Sequence, residues 1–213
     1  GYISDGFFSS YEDVASSPVQ FGQVSRPGDI KYKDLNHDGV IDSNDQAPIG
    51  YNPVPEMTFS LAAGLNWKGI DFSILLQGAA RSSIYLQQDI AWDNFWGNYY
   101  EEHIGRWTPE TAATATYPRF TKAATATHPN YYKSDYWLKD SKYLRLKNIQ
   151  LGYTIPRKLL KKFGVRSLRV YANAYNLFTW DNVKKVDPES PNNSNGQFYP
   201  QQKVINFGIN LNF

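Results

Sequence analysis

The clearest pattern along the chain is alternation. From Val204 to Phe213, apolar and polar positions trade places at every step, the period-2 signature of a strand with two unlike faces. Ile205, Phe207, Ile209, Leu211 and Phe213 share one face, and Val204, Asn206, Gly208, Asn210 and Asn212 the other. The run has the length of about 9–11 residues that a tilted strand needs to cross a bilayer. Thr58–Trp67 repeats the design, with Phe59, Leu61, Ala63, Leu65 and Trp67 on one side. Lys68-Gly69 predicts a tight turn into a second strand whose apolar face is Ile70, Phe72, Ile74 and Leu76, so the pair is a hairpin. Alternation resumes at Ile149, Leu151, Tyr153 and Ile155 and is ended by Pro156. Arg157 to Gly164 is a short basic connector with room for one helical turn. Ser167–Trp180 is the next strand, its phase broken at Asn176-Leu177-Phe178 as a bulge would break it.

The connections between these strands are unequal. Tight or short links alternate with long stretches: Arg81 to Lys142, aromatic at first and then low in complexity (Thr111–Thr116, Thr121–Thr127), and Asp181–Gln202, rich in Asn, Pro and Ser. Some helix is expected near Gln87–Ile104. Short turns on one side and long loops on the other are the habit of outer-membrane barrels. No charged residue falls on the apolar face in the middle of these strands. The expected fold class is therefore all-β: about five C-terminal strands of a large antiparallel transmembrane barrel with long extracellular loops. Phe59, Leu61, Leu65, Phe72, Ile74, Ile149, Leu151, Ile205, Phe207, Ile209 and Leu211 are expected to face lipid. A soluble sandwich shares the alternation, and a calcium-stapled carbohydrate-binding β-sandwich is the alternative from another class. A passive porin is a third reading.

Composition agrees with a membrane interface. Of the 34 aromatic residues, 22 are Tyr or Trp, whose rings join an apolar body to a polar tip. Mean hydropathy is −0.54, and no apolar run is long enough for a membrane helix. The net charge of +2 and the lack of a basic stripe argue against nucleic acid. Cysteine is absent, which removes disulfides, thiolate metal sites and thiol nucleophiles. The opening Gly1–Phe8 lacks a leader-like segment, and a piece of a longer chain is expected.

Two constellations carry candidate chemistry. Asp34, Asn36, Asp38, Val40, Asp42 and Asp45 occupy positions 1, 3, 5, 7, 9 and 12 of a calcium loop, with Gly39 at the sharp turn. Calcium wants hard oxygen ligands, and this spacing wraps carboxylates and the Val40 carbonyl about one point. The final ligand is Asp rather than the longer Glu, and the flanks read as extended chain. The other reading is an Asx-rich turn; as a cation site, the loop would hold structural Ca2+. The aromatic run Trp92, Phe95, Trp96, Tyr99, Tyr100 and Trp107 could contact a ligand or a partner lid, or simply pack a large loop. Catalysis finds no such support: His37, His103 and His128 are scattered, and there is no nucleophile elbow or phosphate loop. The expectation is that the chain is not an enzyme.

Several segments resemble the SusC/RagA family of TonB-dependent outer-membrane transporters of Bacteroidetes-type bacteria. They are Gly28–Asp42, Arg106-Trp107-Thr108-Pro109-Glu110 with Tyr117-Pro118-Arg119, Tyr143–Ile149, and Leu168-Arg169-Val170-Tyr171 with Asn176–Trp180 and Asp187-Pro188-Glu189. Together they cover nearly the whole chain, which reads as residues 1–213 of one incomplete barrel domain. The resemblance implies a 22-stranded barrel in the cell outer membrane, with a plug and earlier strands beyond this sequence. It implies uptake of oligosaccharides or peptides, TonB engaged through the missing N-terminal region, and a SusD-like surface lipoprotein over the mouth. It also implies that the aromatic-ended last strand is read by the barrel-insertion machinery. Open strand edges are not viable in lipid, so the rest of the barrel and the surrounding outer-membrane lipid are partners too.

Overall fold

A computed structural model describes residues 1–122, 125–184, 186–190 and 198–213. Parts of the predicted 121–127 run and of the 181–202 loop lie outside the described residues. In chain order the strands are β1 (Ser4–Phe7), β2 (Val19–Gln20), β3 (Ile30–Tyr32), β4 (Val40–Ile41), β5 (Met57–Trp67) and β6 (Ile70–Ala80). They continue with β7 (Ser83–Tyr85), β8 (Leu138–Asp140), β9 (Tyr143–Thr154), β10 (Ser167–Asp181) and β11 (Val204–Asn212). The chain divides into two compact units: Gly1–Pro53, Ser83–Asp140 and Ser190–Phe198, and Val54–Ser82, Ser141–Glu189 and Tyr199–Phe213.

The second unit is a five-stranded sheet in the order β11-β10-β9-β6-β5, antiparallel throughout and not closed into a barrel. Its register aligns the two faces predicted from alternation. Leu65, Phe72, Leu151, Ala172 and Phe207 lie opposite one another across all five strands, as do Ala63, Ile74, Ile149, Ala174 and Ile205. The other parity gives rows such as Gly64, Ser73, Gln150, Asn173 and Asn206. Cross-strand neighbours on one face are the unit of sheet stabilisation, and here one face is hydrocarbon and the other amide and hydroxyl. None of the eleven residues expected to face lipid is buried. A closed sandwich would have buried them.

Lys68 (φ 48°) and Gly69 (φ 87°) make the two-residue turn between β5 and β6. Two positive φ values suit the turn that matches strand twist. The bulge expected at Asn176-Leu177-Phe178 is present: the register of β10 against β9 slips between Tyr175 and Phe178, with Asn176 at φ 51°. The strand whose alternation is expected from Ile149 begins earlier, at Tyr143. Opposite β6 the register slips between Leu75 and Leu76, with Lys147 as the extra residue, and this slip hides the start of the strand from a period-2 reading. The basic connector forms a single helical turn at Arg157–Leu160 followed by a 3-10 turn at Lys161–Phe163.

The first unit is loop-rich. β1 pairs with β3, β2 runs parallel to β4, and β7 pairs with β8. The helix expected near Gln87–Ile104 is replaced by two 3-10 turns, Gln88–Ile90 and Glu101–Gly105. Positive φ at Gln88, Asn94, Trp96 and Gly97 interrupts any helical run between them. Phe8, Ile30, Tyr32, Ile41, Trp92, Tyr117, Tyr131 and Trp137 form its core.

Candidate functional site

On the polar face of the sheet, Asp71 and Arg169 meet in a two-pronged ion pair, with Arg169 Nε 2.9 Å from Asp71 Oδ1 and Nη2 2.5 Å from Oδ2. They belong to β6 and β10, and the bridge passes over β9 at Gly152. A side chain there would collide with both: a Cβ would lie 2.5 Å from Arg169 Nη2 and from Asp71 Oδ1. The Arg169 guanidinium also sits 4.8 Å from the Tyr171 ring centre, and that ring lies over Gly208 of β11. Glycine here opens the wall for charged and aromatic groups that line a polar interior.

Further along the same face, Gln77, Arg145 and Thr179 stand opposite one another. Arg145 is a wholly buried cation, its side chain 3% exposed. Nη2 lies 2.7 Å from Asp187, Nη1 3.2 Å from Glu189, and Nε donates to Thr179 Oγ1 at 3.0 Å. Burial pushes the Asp187 carboxyl up. Hydrogen bonds from Arg145 and from the Glu189 and Gln201 backbone outweigh it and hold the group below its ordinary value. Gln201 donates to Glu189 at 2.6 Å and accepts from Lys147 at 3.0 Å. Residues from both sides of the 190–200 stretch are thus stapled to β9 and to each other. Upstream, the Asp181 carboxylate accepts from the Val183 and Lys184 amides and so makes a turn at the end of β10. Period-2 reading missed this site, although its members stand in the motifs Tyr143–Ile149 and Asp187-Pro188-Glu189.

In the Asp34–Asp45 loop, the acidic oxygens turn inward upon the backbone. Asp34 accepts from the His37 and Gly39 amides at 2.7 and 2.8 Å. Asp38 accepts from Val40, Asn36 from Asp38, and Asp42 from Asn44. Asp45, fully buried, accepts from Leu35 and Asp42 at 2.7 and 2.8 Å. Burial raises its pKa, but these backbone bonds lower it further, to below the ordinary value. The arrangement is a net of Asx turns, and among the described residues no three acidic or imidazole groups converge as a metal cage. Each carboxylate oxygen that takes one N–H keeps a second lone pair, so these donors are compatible with a cation at the turn.

The aromatic run does not form one surface. Trp92 is core, packed on Tyr131 at 4.8 Å and on Phe95 at 5.7 Å. Trp107 lies against Gly28, where a Cβ would meet its ring at 2.6 Å. Trp96 and Tyr99 stand out, 84% and 56% exposed, with Tyr100 beside them at 37%. An open cavity of about 430 Å3 is lined by Tyr85, Gln87, Trp92, Tyr131, Tyr132 and Lys133. Beneath lies a buried polar network: Asp93 accepts from Tyr117, Tyr131 and the Thr121 amide, and Asn130 joins Ile30, Asp29 and Trp137. Burial drives the Tyr117 and Tyr131 phenols up, and the Asp93 charge adds to it. Such networks fix a loop fold when fully satisfied.

A sheet with one hydrocarbon face, one polar face, two-residue and long connections defines a stretch of outer-membrane β-barrel wall. No protein-family model matches the chain. It is 30% identical over 98% of its length to TonB-dependent receptor P26 of Formosa agariphila, and 26% identical over its whole length to TonB-dependent receptor SusC of Bacteroides thetaiotaomicron. It spans only 22% and 20% of these relatives. Its fold matches a chain of the RagAB peptide importer in the open-open state, with a TM-score of 0.71 and 19% identity, over 100% of this chain and 22% of that one. The RagAB peptide transporter gives a TM-score of 0.72 at 19% identity, over 99% and 22%. The homologues are TonB-dependent receptors, SusC among them, and the fold is that of part of the RagAB importer chain.

Proposed function

We propose that residues 1–213 belong to one barrel domain of an outer-membrane importer that takes up oligosaccharides or peptides together with a SusD-like surface lipoprotein, powered through TonB by a region outside these residues. The observation that carries this reading is the two-faced five-strand register, found in a chain whose homologues are TonB-dependent receptors. RagAB is a peptide importer, which makes peptides one substrate class to test and glycans the other. Exposed Trp96, Tyr99 and Tyr100 are the members of the aromatic run available to a lid or a substrate. The chain supplies wall and loops rather than catalysis. The test is uptake by cells carrying the full-length protein, with and without TonB, the lipoprotein gene and each candidate nutrient. Uptake that survives loss of TonB would identify a passive porin instead.

The Asp34–Asp45 loop is proposed to hold structural Ca2+, supported by its spacing and by the free lone pairs of its carboxylates. Terbium luminescence displaced by calcium, and abolished in Asp34→Asn/Asp38→Asn, tests it. Luminescence equal in the variant would leave the loop as a turn.

A further inference from the structure

The basic connector between β9 and β10 is not used by the wall or by the stapled loop. It runs Arg157-Lys158-Leu159-Leu160-Lys161-Lys162-Phe163-Gly164. Leu160 is buried, while Leu159 and Phe163 are 65% and 76% exposed. Both are presented to the surface by the two short turns, with cations between and beside them. Arg157, Lys158, Lys161, Lys162 and Arg166 are all exposed, and among the described residues none pairs with a carboxylate.

This end of the sheet differs from the other. The β5–β6 turn lies beside the connector, with the Thr154 amide donating to Gly69 at 2.7 Å. Among the described residues Lys68 there also has no carboxylate partner, and it covers the exposed Trp67 ring at 4.8 Å. Asp71 is already taken by Arg169. At the far end, by contrast, Arg81, Arg145 and Lys147 each face a carboxylate. Among the described residues six cations without a carboxylate partner, Lys68 and the five around the connector, thus stand at the short-turn end, next to the row of Trp67, Ile70, Tyr153, Val170 and Ile209, while the far end holds two, Lys184 and Lys203.

We propose that Arg157–Gly164 is an interfacial anchor seated on anionic phospholipid head groups of the periplasmic leaflet. Leu159 and Phe163 enter the boundary between head groups and acyl chains, and the five cations meet phosphates around them. Exposed apolar side chains flanked by Lys and Arg are what such surfaces bind. Short turns place this end at the periplasmic side, and juxtamembrane cations are attracted to anionic lipid over roughly a Debye length. The anchor would hold the β9–β10 link at fixed depth while the polar interior works. It rests on the barrel reading above.

The test uses the full-length protein, free of other cysteines, in vesicles of phosphatidylglycerol and phosphatidylcholine. Phe163→Cys carries an environment-sensitive fluorophore, and Phe207→Cys, on the apolar face of β11, serves as the membrane control. Nitroxide near the head group, on one lipid or the other, is the quencher at Phe163, and nitroxide on the acyl chain is the quencher at Phe207. The anchor predicts that Phe163 is quenched about twofold more by labelled phosphatidylglycerol than by phosphatidylcholine. The preference should vanish at about 0.5 M salt, where the Debye length shrinks to a few ångströms, and in Lys158→Gln/Lys161→Gln/Lys162→Gln. Quenching at Phe207 but not at Phe163 would place the connector in water and overturn the anchor alone. Equal quenching by both lipids would overturn the charge recognition. Absence of quenching at Phe207 would overturn the barrel reading and the anchor with it.

Discussion

Arg145→Gln isolates the staple that ties Asp187 and Glu189 to β9. The guanidinium is 3% exposed and serves Asp187, itself 9% exposed, and Glu189 at 25%. Removing one partner of a buried pair costs about 3–5 kcal/mol, because a charge is left behind without compensation. Two features soften this. Glu189 keeps Lys147 at 3.6 Å, and Asp187 keeps the amides of Glu189 and Gln201. About 3 kcal/mol of local stability should be lost, equal to a roughly 150-fold rise in opening. Hydrogen exchange of the Glu189 and Gln201 amides in the full-length protein reads this opening directly. Adding Asp187→Asn to Arg145→Gln should restore part of the protection at Glu189, whose amide the Asn Oδ1 still accepts, since the stranded charge is gone. The same amides report pH. The folded Asp187 pKa lies below its ordinary value, so its contribution is complete above the unfolded value of about 3.9 and fades as pH falls through the lower folded one. A change under tenfold in Arg145→Gln, or equal loss across β9 and β10, would refute the staple.

Phe207→Arg places a cation in the middle of the apolar face and should cost about 2–4 kcal/mol in lipid refolding titrations, whereas Asn206→Arg on the polar face should cost far less. Equal costs would mean the two faces are not distinguished by lipid. Gly152→Ala should destabilise the barrel by about 1–3 kcal/mol, because its Cβ meets the Asp71–Arg169 bridge. Gly64→Ala, whose Cβ meets only the Phe72 carbonyl at 3.5 Å, should be close to neutral in the same titration.

How far the sequence can be read depends on whether neighbours in sequence carry the information. The hairpin at Lys68-Gly69, the alternation of β11 and the bulge near Asn176 are local, and each is found where the pattern places it. The early start of β9 is not local, since a register slip against β6 shifts its phase partway along. The Arg145 staple joins residues 42 apart, and no periodicity links them. In the loops, Trp92 and Trp96 look alike in sequence, yet one is buried in the core and the other almost bare. Tertiary neighbours such as Tyr131 decide that difference. Spacing brought Asp34 through Asp45 into one loop with two readings, and the amide bonds of the Asx-rich turn are the ones the structure shows.

The central claim is that the two parities of this sheet meet two different solvents. A cysteine scan of β10 and β11 in the full-length protein, in intact outer membranes, tests it most directly. Ala172, Ala174, Phe207 and Ile209 should resist a charged thiol reagent and be quenched by lipid-borne nitroxide. Tyr171, Asn173, Asn206 and Asn210 should react with the reagent and escape the quencher. Reactivity without a period of two, or with all positions hidden from lipid, would contradict the account and favour a soluble sandwich.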